Sequence, residues 1–247
     1  MIIFKKRSMR ALICFILFLI ITNCFSQKGN ANKGLSKHAT ELNTDSVVYA
    51  DARANSDYSV MMVALYYMMV KNPQKSLSYK DSLTTIYYLI QAYPNCIRLG
   101  NEVLSLQPDN FRIRELVAIS HRIMGNTKTA LEMYEKLYSE TNSPIHAYYI
   151  AEMQFNIQRY GECLATLENI LSAENSKKER IELIINENSK QKVLLTAAAL
   201  NIKGMMFAET GKNKEAKDAF ISALSIEKDF ILPKTNLERI NQKSQTR

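Results

Sequence analysis

The side chains of this sequence that could do acid–base or ligand chemistry are few. Its three histidines are His38, His121 and His146. No two form an HExxH pair, and none joins cysteines at the spacing of a zinc site. The seven glycines build neither the GxxxxGK[ST] loop that cradles phosphates nor the GxGxxG turn of dinucleotide sites. Isolated acid pairs such as Glu115 with Glu152 can face a groove. A carboxylate dyad, however, acts as acid and base only in a dry, shaped pocket that drives its pKa values apart. These residues together argue against an enzyme, and they imply no cofactor and no metal. Tyr66–Tyr67, Tyr87–Tyr88 and Tyr148–Tyr149 could suggest platforms for stacking sugars or bases. Neighbours on a helix point about 100° apart, so such a pair cannot make one flat surface. One tyrosine of each pair reads as core.

The element that must position these residues is a helical-pair motif returning about every 34 residues. It is clearest at Leu200–Phe230, LNIKGMMFAETGKNKEAKDAFISALSIEKDF. Windows begin near Leu42, Leu77, Phe111, Pro144 and Ala197. The slot that lets the second helix pack closely holds Met61, Cys96, Ala130, Cys163 and Ala216 in turn. Four residues on stand Leu65, Gly100, Tyr134, Leu167 and Phe220, and three further on Met68, Val103, Leu137, Ile170 and Ala223. Steps of four and three put all three slots on one helical face. Such a unit cannot cover its own apolar faces, so copies must stack with a continuous core. A plain helical bundle needs no such return of small and aromatic residues to fixed offsets.

Two cysteines, Cys96 and Cys163, lie in these windows, in the same slot of units two helix pairs apart. Packed helices are separated by 8–10 Å, which sets the two about 20 Å apart. A disulfide tolerates roughly 7 Å between Cα atoms, so both read as small core residues rather than as a bridge.

The repeat resembles the tetratricopeptide repeat, with a small residue inside helix A, a Gly turn, Ala and an aromatic in helix B, and Pro at the end. Gly204, Phe207, Gly211, Ala216, Phe220 and Ala223 carry the resemblance most fully. Tyr87, Cys96, Val103 and Pro108 carry it in part, as do Ala118, Gly125, Ala130, Tyr134 and Leu137. The first unit departs most, with Tyr49 where a small residue is expected and Met61 in place of Ala. The coverage runs from Thr44 to Ile240. The whole chain is also similar to exported tetratricopeptide proteins of Bacteroidetes-type bacteria, through Tyr79–Cys96 (YKDSLTTIYYLIQAYPNC), the split between the last two units, and a signal ending in Ser-Gln.

The resemblance implies an all-α fold, a right-handed solenoid of about five helix pairs. Residues 44–177 hold repeats 1–4 and 197–230 the fifth. Residues 231–247 then supply a capping helix and tail. Residues 178–196 interrupt the register. Ile181–Ile185 and Val193–Leu195 flank the turn-rich NENSKQ, which favours a small β-hairpin before the last repeat; a helix extension through Glu179–Ile185 is the competing reading.

The N-terminus reads as an export signal over residues 1–26. Lys5, Lys6, Arg7 and Arg10 precede the apolar run Ala11–Ile21, which is shorter than the roughly 18–20 residues of a membrane-spanning helix. Small residues on both sides of Phe25 place cleavage between Ser26 and Gln27. Two alternatives stay open: a lipid anchor at Cys24, against which Asn23 argues, and an uncleaved anchor. Residues 27–43 are polar and read as a disordered leader. The signal holds four basic and no acidic residues, so removing it lowers the formal charge from +8 to +4. That balance, with no clustered basic stripe, argues against nucleic acid as partner.

On this reading the working surface is the concave groove lined by first helices. Its inward slots hold Asp81, Tyr88, Arg112, Glu115, Arg122, Tyr148, Glu152 and Phe155. Tyr and Phe offer contact area, and Arg pairs with carboxylates or carbonyls, which suits an extended peptide or another envelope protein. The Lys/Asn clamp by which chaperone-binding relatives hold a C-terminal carboxylate is absent. Its slots carry Ser46 and Ala50, Asp81 and Thr85, then Glu115 and Ile119. The expected protein is therefore a non-enzymatic scaffold of the bacterial envelope, periplasmic or outer-envelope associated, with no integral span in its mature chain. A lipid-anchored accessory subunit of an outer-membrane complex and a carbohydrate-binding module are the alternatives.

Overall fold

The computed structural model describes residues 43–245; the expected signal and nearly all of the expected leader lie outside them. The chain divides after Ile86 into two compact units.

The first unit contains α1 (43–54), α2 (Tyr58–Lys71), a single 3-10 turn (Pro73–Lys75) and most of α3 (Ser76–Leu89). Asp57 caps α2 by accepting a hydrogen bond from the Val60 amide at 3.0 Å, which satisfies one of the amides that open a helix. The helix buries Met61, Ala64, Leu65 and Met68.

The second unit runs through α4 (Tyr93–Leu106), α5 (Phe111–Ile123), α6 (Thr127–Thr141), α7 (Pro144–Asn156) and α8 (Tyr160–Ser172). Two strands follow, β1 (Arg180–Asn186) and β2 (Ser189–Leu194), and then α9 (Leu195–Glu209), α10 (Asn213–Ile226) and α11 (Ile231–Gln245). From α4 to α8 each helix packs on the next in the chain, and α9, α10 and α11 do likewise.

The three periodic slots are the core. Every residue expected there is buried, and Cys96, Ala130, Cys163 and Ala216 are wholly inaccessible. The Cys163 thiol points at the Ala151 carbonyl at 3.4 Å, and burial pushes it up to about 11. Cys96 lies against the Leu116 carbonyl instead, likewise raised by burial.

Each helix pair turns on the same device. The residues at the turn, Ser56, Gln91, Gly125, Gln158 and Gly211, all have positive φ, between 55° and 77°. The next amide in each case bonds back across six residues: Asp57 to Ala52, Ala92 to Tyr87, Asn126 to His121, Arg159 to Gln154 and Lys212 to Phe207, at 2.8–2.9 Å. This is the Schellman closure, which satisfies carbonyls that a helix end leaves open and requires one left-handed residue. Glycine fills that position in only two of the five turns. Gly204 is needed for a different reason. A Cβ there would stand 2.5 Å from the Phe220 ring, so α10 can approach α9 only because position 204 has no side chain.

The insertion forms the expected hairpin, not the helix extension. β1 and β2 are antiparallel, with Ile181 opposite Val193 and Leu183 opposite Gln191. Ile185 falls out of register between Ile184 and Asn186, Glu187 and Asn188 form the tip, and Asn186 Oδ1 accepts from the Asn188 amide at 3.0 Å, an Asx turn. Ile181, Leu183 and Val193 share one buried cluster with Tyr148 of α7, Leu167 of α8 and Ala198 of α9. Gln191 fastens the hairpin to the α10–α11 connection, donating to the Asp229 carbonyl (2.7 Å) and accepting from the Ile231 amide (3.0 Å). Glu227 adds a second tie, accepting from the Leu194 amide and pairing with Arg180 at 2.7 Å. No helix among the described residues is long and apolar enough to cross a membrane.

Candidate partner-binding face

Helices α5 and α7 are consecutive first helices of the repeat, and they are joined by two polar rungs. Arg122 on α5 donates from Nη1 to Glu152 Oε2 on α7 at 3.1 Å. The same guanidinium sits over the Tyr149 ring, 4.6 Å from its centroid, within the range of cation–π attraction. Nearly two turns away, His146 on α7 places Nε2 3.3 Å from Glu115 Oε1 on α5. Its Nδ1 meets Thr141 Oγ1 at 3.0 Å, while that hydroxyl donates to the Leu137 carbonyl at 2.7 Å.

The two carboxylates therefore differ. The hydrogen bond from His146 holds Glu115 below the usual carboxylate range, against a partial burial that raises it. Burial lifts Glu152 above that range, and Arg122 only partly offsets it. Behind them Tyr134 is fully buried, and its hydroxyl makes no hydrogen bond of regular geometry. Burial drives that phenol far up, with the nearby guanidinium opposing. Each carboxylate of the expected acid pair is thus tied to a base on the neighbouring helix. Among the described residues, no group of three or more His, Cys, Asp and Glu side chains could hold a metal ion.

The expected inward residues are distributed unevenly. Arg112 is exposed, and Glu115, Arg122, Glu152 and Phe155 are half-buried, all on α5 or α7. The Phe155 ring lies 6.1 Å from that of Tyr160. Tyr88, at the end of α3, is half-buried, with its ring edge-on to Tyr93 at 6.3 Å. Asp81 belongs to the first unit and is described only within it. Tyr148 needs a correction. It is 4 % exposed and belongs to the core cluster that includes the hairpin. Its neighbour Tyr149, turned about 100° around the helix, is the tyrosine that meets Arg122. The repeat register alone could not choose between the two, because it does not show which inward positions the inserted hairpin helps to bury.

Lys190 on the hairpin lies near enough to Tyr88 and Tyr93 to feel their hydroxyls. It pairs with Glu182 at 2.9 Å, which is the main cause of its raised pKa, and the Tyr88 and Tyr93 hydroxyls add to that rise.

Helix pairs closed by a left-handed turn, with a ladder of small and aromatic core residues, give a tetratricopeptide-type fold, and solved structures bear out that fold. The chain is similar to YrrB, a TPR protein described as having an unusual peptide-binding site. The TM-score is 0.62 at 10% identity, over 77% of this chain and 88% of YrrB. It is likewise similar to MamA, with TM-score 0.59 at 12% identity over 76% of this chain and 92% of that one. A MamA fragment beginning at residue 41, from Desulfovibrio magneticus RS-1, gives 0.59 at 9% identity over 77% and 97%. At these identities the likeness shows the fold alone. No family model matches the sequence, and no curated protein is similar to it.

Proposed function

We propose that this chain is a non-enzymatic interaction protein of the bacterial envelope that holds an extended segment of another protein on the face shared by α5 and α7. The observation that carries this reading is the fixing of Arg122 between Glu152 and Tyr149 while 28% of its side chain stays accessible. A guanidinium already locked by an ion pair and a ring loses little freedom on binding. Its Nε is buried, and the terminal N–H groups beyond the one given to Glu152 suit the carbonyls or carboxylates of an extended chain. Arg112 and Phe155 on the same two helices would extend the contact with charge and apolar area. YrrB supports the reading as a protein of the same fold with a peptide-binding site.

The envelope location rests on the basic head, the short apolar run and the Ser26–Gln27 junction of the sequence. A lipid anchor at Cys24 is the variant of this reading that the sequence allows. Mass spectrometry of the mature N-terminus distinguishes them: a chain starting at Gln27 is free, and a diacylated Cys24 is tethered. The function is tested by placing a photo-crosslinking residue at Arg112 in cells. Recovery of one envelope protein, lost when the residue is moved to the exposed Lys214 of α10, supports the reading. Equal labelling from both positions contradicts it.

A further inference from the structure

Helix α2 is apolar on two sides. Met61, Ala64, Leu65 and Met68 fill the core of the first unit, whereas Val60, Val63, Tyr67 and Val70 are 38, 55, 58 and 78% exposed. At 100° per residue the exposed four fall within an arc of about 80°, centred about 130° around the helix from the buried four. Val47 and Val48 of α1 are exposed as well, and an open cleft of about 390 Å³ lies between Val48, Val60, Val63 and Tyr67. A helix apolar all round is one whose outer side is covered, and a contiguous apolar patch on a soluble domain marks an interface.

The spacing of the row identifies what covers it. Steps of three, four and three make the a/d seam of two heptads, and that pattern reads the same in both directions. An antiparallel copy of α2 would therefore meet this one in register, Val60 against Val70 and Val63 against Tyr67. The helix ends agree. Exposed Asp57 caps the N-terminal end, while Lys71, shared with Asp45 at 2.9 Å, and Lys75 mark the C-terminal end. Antiparallel pairing brings acid to base at both ends and opposes the helix dipoles; parallel pairing brings like charges together. A head-to-tail contact would need an apolar counterpart at the other end of the chain. Among the described residues, the exposed large apolar side chains at that end are only Ile221 and Ile226, about 140° apart around α10, and Ile231 at the start of α11. From Lys234 to Gln242 the exposed residues of α11 are Lys234, Thr235, Glu238, Arg239, Asn241 and Gln242. We infer that a second copy of this chain docks antiparallel on the exposed row of α2, giving a closed two-fold dimer.

Sedimentation velocity on the full chain tests this, with the wild type beside the double variant Val63→Glu/Val70→Glu. Both positions are exposed, and a retained helical far-UV spectrum checks that the variant folds. The expected result is a concentration-dependent dimer in the wild type and dissociation at least about 100-fold easier in the variant. Orientation is read from disulfide formation: Val60→Cys chains mixed with Val70→Cys chains should cross-link to each other ahead of themselves. A wild type that stays monomeric into the millimolar range overturns the inference. So does a dimer untouched by the double variant, or preferential Val60→Cys self-linking. A monomer destabilised by the double variant also overturns it, because the row would then be covered from within its own chain.

Discussion

The guanidinium of Arg122 lies 4.6 Å from the ring centroid of Tyr149, across the contact between two consecutive first helices. Glu152, three residues beyond Tyr149, holds the other side of the guanidinium. An ion pair between fully hydrated groups contributes little. Here, however, the pair is partly buried: burial lifts the Glu152 carboxyl and Arg122 offsets only part of that rise. The geometry fixes a cation at the surface of the repeat without removing it from reach. The account of function rests on this arrangement.

The close approach of α9 and α10 depends on Gly204. Gly204→Ala should lower stability by about 1–3 kcal/mol, because the new methyl collides with a ring that is itself 1% exposed. Denaturant midpoints measure the loss. Gly204→Ala combined with Phe220→Leu should lose less than the two single changes added together, since the smaller side chain removes the collision.

The recurring left-handed turn makes a paired prediction. Gly211 has φ of 77°, so Gly211→Ala should cost roughly 1 kcal/mol. Gln158 takes the same turn at φ of 61° with a side chain that disfavours it, so Gln158→Gly should be stabilising or neutral, by up to about 1 kcal/mol. Equilibrium unfolding should therefore show Gly211→Ala destabilised and Gln158→Gly no less stable than the parent.

These turns show what could be read in the sequence and what could not. The slots Cys96, Ala130, Cys163 and Ala216 were legible because close packing of one helix on another admits only small residues at a fixed offset. The hairpin was legible in Ile181–Ile185 and Val193–Leu195, since two clusters of β-branched and other apolar residues around polar turn residues need a partner for their apolar face. Gly125 and Gly211 announced two turns. Ser56, Gln91 and Gln158 hid three more, because backbone closure can hold a non-glycine residue at positive φ. Arg114 was silent as well: it is 4% exposed, pairs with Glu140 and donates to the Pro108 carbonyl, and nothing in its neighbours distinguishes it from a surface arginine. Tyr148 was misplaced because the periodicity of a repeat says nothing of an insertion packed into the same cluster.

The hairpin is fastened by few groups. Gln191→Ala removes both the donor to Asp229 and the acceptor of the Ile231 amide. Hydrogen exchange should quicken in residues 189–194 and at the start of α11, by roughly tenfold for a loss of about 1–2 kcal/mol. The amides of α5 and α6 should keep their protection.

The two carboxylates on the binding face should give stability opposite slopes with pH. Glu115 is depressed in the folded state by His146. Its contribution is present above the unfolded carboxylate pKa and disappears as pH falls through the lower folded value. Glu152 is raised by burial. Its contribution is complete below the unfolded value and is lost as pH rises through the higher folded one. Denaturant midpoints measured against pH should show Glu115→Gln flattening the rise on the acid side and Glu152→Gln flattening the fall just above it.

The most direct test is the affinity of the protein cross-linked from position 112 for Arg122→Ala and Tyr149→Ala, measured by calorimetry beside Lys214→Ala on α10. If α5 and α7 hold the partner, the first two changes weaken binding by at least about tenfold each, as expected of residues central to an interface, and the third leaves it unchanged. Equal affinity for all three folded variants would contradict the account.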